Sequence, residues 1–241
     1  MRSPRGRRCP AVREAVADAA AVPGDVARTI EARTLLCILK RFMPAGYRLY
    51  DRWIAFFDLH YFQGVLMSTN ITGKKILMFV ENIYEDLELW YPKLRMEEEG
   101  MTVVIAAPKA GITYNGKHGY PAVSEAAIAD INANDFIGVI CAGGFAPDKL
   151  RRDPKVKSLV SHFANKRQLV AAICHGGWIP ISAGVYRGVR VTSSPGIKDD
   201  LENAGCIWID APAVVDRHFV SSRKPEDLPA FCKSILQVLT A

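Results

Sequence analysis

Long apolar runs are what this 241-residue sequence most lacks. The aromatic-rich stretch 35–67 comes nearest, but Lys40, Arg41, Arg48, Asp51, Arg52, Asp58 and His60 interrupt it. Nothing approaches the ~20 consecutive apolar residues that span a bilayer. The most that stretch suggests is an amphipathic helix over 47–62, lying on the body or on a membrane surface, and no membrane partner is expected. No apolar leader core precedes a small-residue cleavage site, which argues against secretion. The six cysteines (Cys9, Cys37, Cys141, Cys174, Cys206 and Cys232) include no Cys-x-x-Cys pair. They read as reduced thiols of a cytoplasmic protein rather than disulfides or metal ligands. No histidine lies at zinc-ligand spacing from a cysteine or a second histidine. No Gly-Lys-Ser/Thr follows Gly143-Gly144, so that pair is not a phosphate loop. No internal repeat or low-complexity linker breaks 70–241. A metal site is therefore not expected, and no cofactor is called for.

A surplus of negative charge is also missing, since the formal net charge is +6. Its location matters more than its size. Residues 1–66 carry 11 Lys and Arg against 6 Asp and Glu, whereas 67–241 carry 20 against 19. The basicity belongs to the N-terminal part, and a nearly neutral body gives no support to a nucleic-acid partner. Four arginines within the first eight residues resemble a targeting peptide, but Glu14, Asp18 and Asp25 speak against it. Residues 1–66 are expected to form a basic extension outside the fold, with Met67 an ordinary start and 67–241 the folded domain.

From Lys74 onward the text is regular. Continuous apolar strands are expected at 75–80, 101–107, 136–141 and 169–174, with shorter ones at 190–193 and 206–209. Helices are expected at 85–99, with Leu87, Tyr91 and Leu94 on one face, and at 153–166, where Asp153-Pro154 caps the start. Others follow at 178–183, 196–204 and 225–239, the last with Leu228, Phe231, Ile235 and Leu239 on one face. Hairpins are expected at 114–120 and 213–223. This alternation predicts an α/β three-layer sandwich around a mostly parallel sheet. In such sheets the working residues gather beyond the carboxyl ends of the strands. Glu85 and Glu88 follow the first strand, Gly143-Gly144 the third, and Cys174-His175 the fourth.

The fourth strand is the most informative. Leu169-Val-Ala-Ala-Ile-Cys174-His175-Gly176-Gly177 is an apolar strand, a sharp turn and the start of a helix. Ala172-x-Cys174-x-Gly176 has the logic of a nucleophile elbow, in which small residues on either side let the turn tighten around the nucleophile. A thiol at a helix N-terminus is expected to favour thiolate. The competing reading is a small core hydrophobe.

Six motifs then occur in one order: Glu85-Asp-Leu-Glu-Leu-Trp-Tyr-Pro92, Gly116-Lys-His-Gly-Tyr120, Gly143-Gly-x-Ala-Pro147, Ala172-Ile-Cys-His-Gly176, Ile181-Ser-Ala-Gly184 and Pro195-Gly-Ile-Lys-Asp-Asp200. Together they resemble the PfpI-type intracellular cysteine peptidases and deglycases of the ThiJ/PfpI superfamily, over about 74–239. The resemblance implies a flavodoxin-like fold related to class I glutamine amidotransferases. It implies Cys174 as nucleophile, Glu88 hydrogen-bonded to the thiol with Glu85 close by, and His175 as base or acid. A carboxyl aimed at a thiol opposes thiolate unless protonated, so Glu88 is read as a proton-bearing donor. The N–H groups of Gly144 and His175 would form the oxyanion site. Asp148 stands where the family usually has Glu, and is expected to reach His175 from a neighbouring copy in a homodimer or hexamer. Ser194 replaces the family's usual Tyr and bears on substrate range. His118 borders the pocket or serves its turn.

The function expected is that of a hydrolase forming a covalent adduct at Cys174 with a peptide, a glycated side chain or a small 2-oxoaldehyde. The alternative is a stress-response redox sensor or holdase using the same thiol by oxidation. A glutamine amidotransferase would need a His-x-Glu downstream. After His175 the one further histidine, His218, is followed by Phe-Val-Ser, which excludes that chemistry.

Overall fold

The computed structural model describes residues 71–241. The expectations for 1–66, including the helix at 47–62 and the boundary at Met67, lie outside the described residues. In chain order the elements are β1 (Lys75–Phe79), α1 (Asp86–Glu98), β2 (Thr102–Ala107), β3 (Thr113–Asn115), β4 (Pro121–Val123), β5 (Ala126–Ala127), β6 (Gly138–Cys141), α2 (Ala146–Leu150), α3 (Pro154–Asn165) and β7 (Leu169–Ile173). They continue with α4 (Trp178–Ser182), β8 (Arg190–Val191), α5 (Lys198–Asn203), β9 (Ile207–Trp208), β10 (Ala213–Asp216), β11 (Phe219–Ser222) and α6 (Leu228–Thr240). Among the described residues no helix is long and apolar enough to cross a membrane.

Seven strands form the central sheet in the order β10-β11-β7-β6-β1-β2-β5, parallel except for the β10–β11 hairpin. Residues of β6 and β7 are buried throughout, as parallel strands covered on both faces must be. Val139 sits opposite Leu77 on one side and Val170 on the other. Helix α6 packs on β7, β10, β11 and α1, while α3 covers β6 and β7 with α4 beside it, on the opposite face. The expected three-layer α/β sandwich is the observed one. The Asp153 carboxylate accepts the Lys155 N–H and starts α3 at Pro154, where the chain needs no donor.

Three local readings change. The face of α1 carrying Leu87, Tyr91 and Leu94 points outward, Leu87 and Leu94 being 57 % and 58 % exposed. The helix instead buries Asp86, Glu88, Leu89, Pro92 and Met96. That stripe has helical spacing, but two of its members are carboxylates, which an apolar count discards. Strands β8 and β9 pair with each other as a separate two-stranded parallel sheet. The short elements β5 and α2 had no signal of their own; β5 is two alanines on the β2 edge, and α2 starts with Pro147 inside its first turn.

Candidate active site

Strand β7 ends at Ile173, and the next residue is where the chain bends. Cys174 takes φ +58°, the left-handed region that a side chain with a Cβ rarely adopts. The bend is permitted by its neighbours. A Cβ on Gly176 would stand 2.2 Å from the Cys141 carbonyl oxygen, so only glycine lets the turn lie against β6. A Cβ on Gly143 would stand 2.4 Å from Glu88 Oε2 and 2.8 Å from Cys174 Cβ. The loop after β6 therefore closes directly over the thiol and the buried carboxyl.

Around Cys174 the expected groups converge. The N–H groups of His175 and Gly144 are directed at its sulfur. Burial first, and then the charge of Glu88, push the thiol up from its ordinary range, against the pull of those two N–H groups. The thiolate-favouring environment expected at a helix N-terminus is thus outweighed: the helical turn is short, and the sulfur is largely removed from water. His175 lies with Nδ1 3.1 Å from the sulfur. Burial and the Lys117 charge lower its pKa, while Asp200 raises it. The resting pair is a thiol beside a neutral imidazole. The left-handed turn at Cys174 lets the two adjacent side chains meet.

Glu88, from the first turn of α1, is 0 % exposed, and its Oε2 accepts the Gly143 N–H at 2.8 Å. Burial and the nearby Glu85 charge push its carboxyl up to about 8, against the Gly143 N–H. At neutral pH it carries a proton. Below that point its charge no longer opposes thiolate. Glu85, also buried, precedes the same helix start and lies 3.7 Å from Lys117 Nζ and 3.8 Å from His118 Nε2. His118 is largely exposed and sits at the rim. Its loop is held by a residue that sequence reasoning passed over: the buried Asp86 carboxylate accepts the N–H groups of both His118 and Tyr120. Asp86, Glu85 and His118 bring ligand atoms within 4.8 Å of one another, but both Asp86 oxygens are already committed to the loop.

Two expected residues lie further out. Ser194 Oγ accepts the Gly196 N–H at 3.4 Å, and a Cβ on Gly196 would stand 3.5 Å from His175 Nε2. Ser194 thus shapes the wall beside the imidazole. Asp148 is not brought to His175 in its own chain. It lies on α2, half-exposed and 2.6 Å from Arg152. Cys141, Cys206 and Cys232 are buried and unpaired, their thiols pushed up by burial, which fits the inert role expected. Cys9 and Cys37 lie outside the described residues. Besides Asp86, sequence reasoning missed Lys117, whose charge reaches Glu88 and His175, and Trp178, whose ring stands edge-to-face against His175, since neither spacing nor composition marks such contacts.

A strand-elbow thiol with an adjacent histidine, a buried glutamate and a Gly-Gly loop over it defines a class of cysteine-centred α/β domains. The chain belongs to the DJ-1/PfpI family, whose model matches residues 74–238. It is 44 % identical over 165 residues to a deglycase of Pyrococcus horikoshii, covering 68 % of this chain and 99 % of that one. A deglycase of Pyrococcus abyssi is 42 % identical, with the same coverage. Among solved structures, a two-domain protein of Anabaena variabilis with DJ-1/ThiJ/PfpI-like and ferritin-like domains superposes with a TM-score of 0.67 at 34 % identity. That likeness covers 69 % of this chain and 48 % of that one.

Proposed function

We propose that this protein is a cysteine hydrolase of the deglycase kind, forming a covalent adduct between Cys174 and a carbonyl carbon of a glycated side chain or a small 2-oxoaldehyde. The observation that carries it is the 3.1 Å approach of His175 Nδ1 to a sulfur at which two backbone N–H groups are aimed. The resting thiol is protonated, so the proton moves as the bond forms. The sulfur–carbon bond forms while the S–H proton passes to Nδ1, and the carbonyl π pair moves onto oxygen. The N–H groups of Gly144 and His175 then receive the charge that leaves sulfur for that oxygen. The imidazolium returns its proton to the oxygen or, where the attacked carbonyl is an amide, to the departing amine, after which water cleaves the sulfur–carbon bond of the thioester, giving the acid and restoring the thiol. Glu88, protonated at neutral pH, donates toward sulfur whenever it is negative. The same steps serve a peptide carbonyl; the relatives named as deglycases favour the glycated substrate.

Cys174→Ser should lower turnover of methylglyoxal-modified thiols and amines by on the order of a hundredfold or more, because a hydroxyl beside a neutral imidazole is a far weaker nucleophile. Retained turnover in that variant, or a wild type inert toward glycated thiols, methylglyoxal and peptides alike, would remove the covalent mechanism.

A further inference from the structure

Lys117 stands beside His118 in the loop between β3 and β4, and that loop is fixed from below. The Asp86 carboxylate accepts the His118 and Tyr120 N–H groups, and the Tyr84 hydroxyl donates to the Tyr120 carbonyl. The Lys117 N–H donates to the Tyr84 carbonyl at 2.7 Å. A Cβ on Gly116 would stand 2.3 Å from Asp86 Oδ1, so the loop lies directly on that carboxylate. Tyr84 also sets where the loop runs. It bridges to Gly116 on one side and, on the other, to Gly144, whose N–H faces the sulfur. Two strand spacings place those glycines about 10 Å apart. From there the Lys117 charge reaches both His175 and Glu88.

No neighbouring acid consumes that ammonium. Glu85 Oε2 lies 3.7 Å from Lys117 Nζ, beyond hydrogen-bond distance, and among the described residues Nζ makes no hydrogen bond. The Glu85 side chain is 10 % exposed, against 49 % for Lys117 and 66 % for His118, so the carboxylate lies inward of both nitrogen groups. Asp86 is committed to the loop, and Glu88 carries a proton at neutral pH. The Asp200 carboxylate, whose charge also reaches His175, accepts the Trp178 indole N–H. An anion arriving from solvent thus meets an ammonium with its N–H donors free.

We propose that Lys117 is a specificity-determining residue that receives a carboxylate on the carbonyl substrate attacked by Cys174. The preferred substrate is then a small glycated thiol or amine that carries its own carboxylate, such as a glycated free amino acid. A neutral adduct, or a glycated side chain within a protein, lacks that group. This rests on the reading of Cys174 as the attacking thiol and deepens it. The reason is electrostatic: a half-exposed ammonium beside the thiol attracts a carboxylate and gives no such help to an uncharged group.

The test compares iodoacetate with iodoacetamide, reagents of one size that differ by a charge, on Cys174 in the full chain near neutral pH, read by peptide mass. The ratio of the two rates cancels whatever a variant does to the thiol itself and leaves the attraction of the site for the anion. Lys117→Gln should lower the iodoacetate-to-iodoacetamide ratio by about fivefold or more, Lys117→Glu should lower it further, and Lys117→Arg should hold it near wild type. In about 0.5 M salt the wild-type ratio should fall toward the glutamine value, because salt screens the ammonium. Turnover reads the same preference. The kcat/KM for the methylglyoxal hemithioacetal of N-acetylcysteine, relative to that of N-acetylcysteine amide, should fall by a similar factor in Lys117→Gln. A Lys117→Gln protein whose alkylation ratio, or whose turnover preference, stays within about twofold of wild type would overturn the proposal and leave the lysine as a partner of Glu85 alone. Alkylation needs no turnover. A wild type inert toward both hemithioacetals, or an active Cys174→Ser protein, would remove the deglycase reading, while the reagent ratio would still decide this one.

Discussion

Glu88 is a buried carboxyl whose proton ties both stability and chemistry to pH. Its pKa rises from 4.5 to about 8 on folding, chiefly by burial. Between those values the native state holds a proton that the unfolded chain has released, so stability falls as pH rises through that window. The loss amounts to about 5 kcal/mol. Glu88→Gln keeps a carbonyl oxygen for the Gly143 N–H and has nothing to titrate. Its advantage over wild type in urea denaturation should therefore widen from about pH 5 to about pH 8. Parallel curves for the two proteins would show that Glu88 is not protonated by the fold. In turnover, the alkaline decline that sets in near pH 8 as Glu88 becomes charged should be absent from Glu88→Gln, and Glu88→Ala should be the slower variant. A glutamine slower than alanine would contradict the donor role. The sequence marked Glu88 only through its motif; the reason it is protonated is a helix rotation that spacing alone did not reveal.

At the scale of elements, the elbow is where backbone shape and chemistry coincide. Gly176→Ala would drive a methyl into the Cys141 carbonyl, backbone against backbone, with no flexible side chain to give way. A loss of about 3 kcal/mol is expected, at the upper end of overpacking costs, together with a displaced Cys174. Chemical denaturation measures the first and iodoacetamide alkylation the second; an alanine protein as stable and as reactive as wild type would mean the turn tolerates a Cβ. The elbow was legible because Ala172, Cys174 and Gly176 report a tight turn in their own sizes. Helix α1 was legible in extent but not in orientation. Its apolar residues Leu87, Tyr91 and Leu94 face outward because the stripe turned to the sheet includes Asp86 and Glu88, which hold the Gly116–Tyr120 loop and the site. Apolar periodicity marks a buried face only when that face carries no function.

For the whole molecule, the family model matches from Lys74, and 165 residues of this chain account for 99 % of a relative's length. A chain beginning at Met67 should thus express, melt as one cooperative unit and retain full activity. Aggregation, or a loss of several kcal/mol on the scale of a removed packed element, would show that the body needs residues before 67. Removing them also takes away the +5 surplus and leaves a nearly neutral protein. What the sequence by itself determined is what local chemistry can encode. Continuous apolar strands alternating with helices specified the parallel sheet, glycines specified the sharp turns, and the ordered motifs specified the thiol, the histidine and the glutamates. What only the tertiary structure decided depends on distances between residues far apart in the chain. The Glu88 proton comes from burial beneath the Gly143 loop, and the grip on the Gly116–Tyr120 loop comes from Asp86. Burial and through-space charge are properties of the packed chain, and no spacing along it records them.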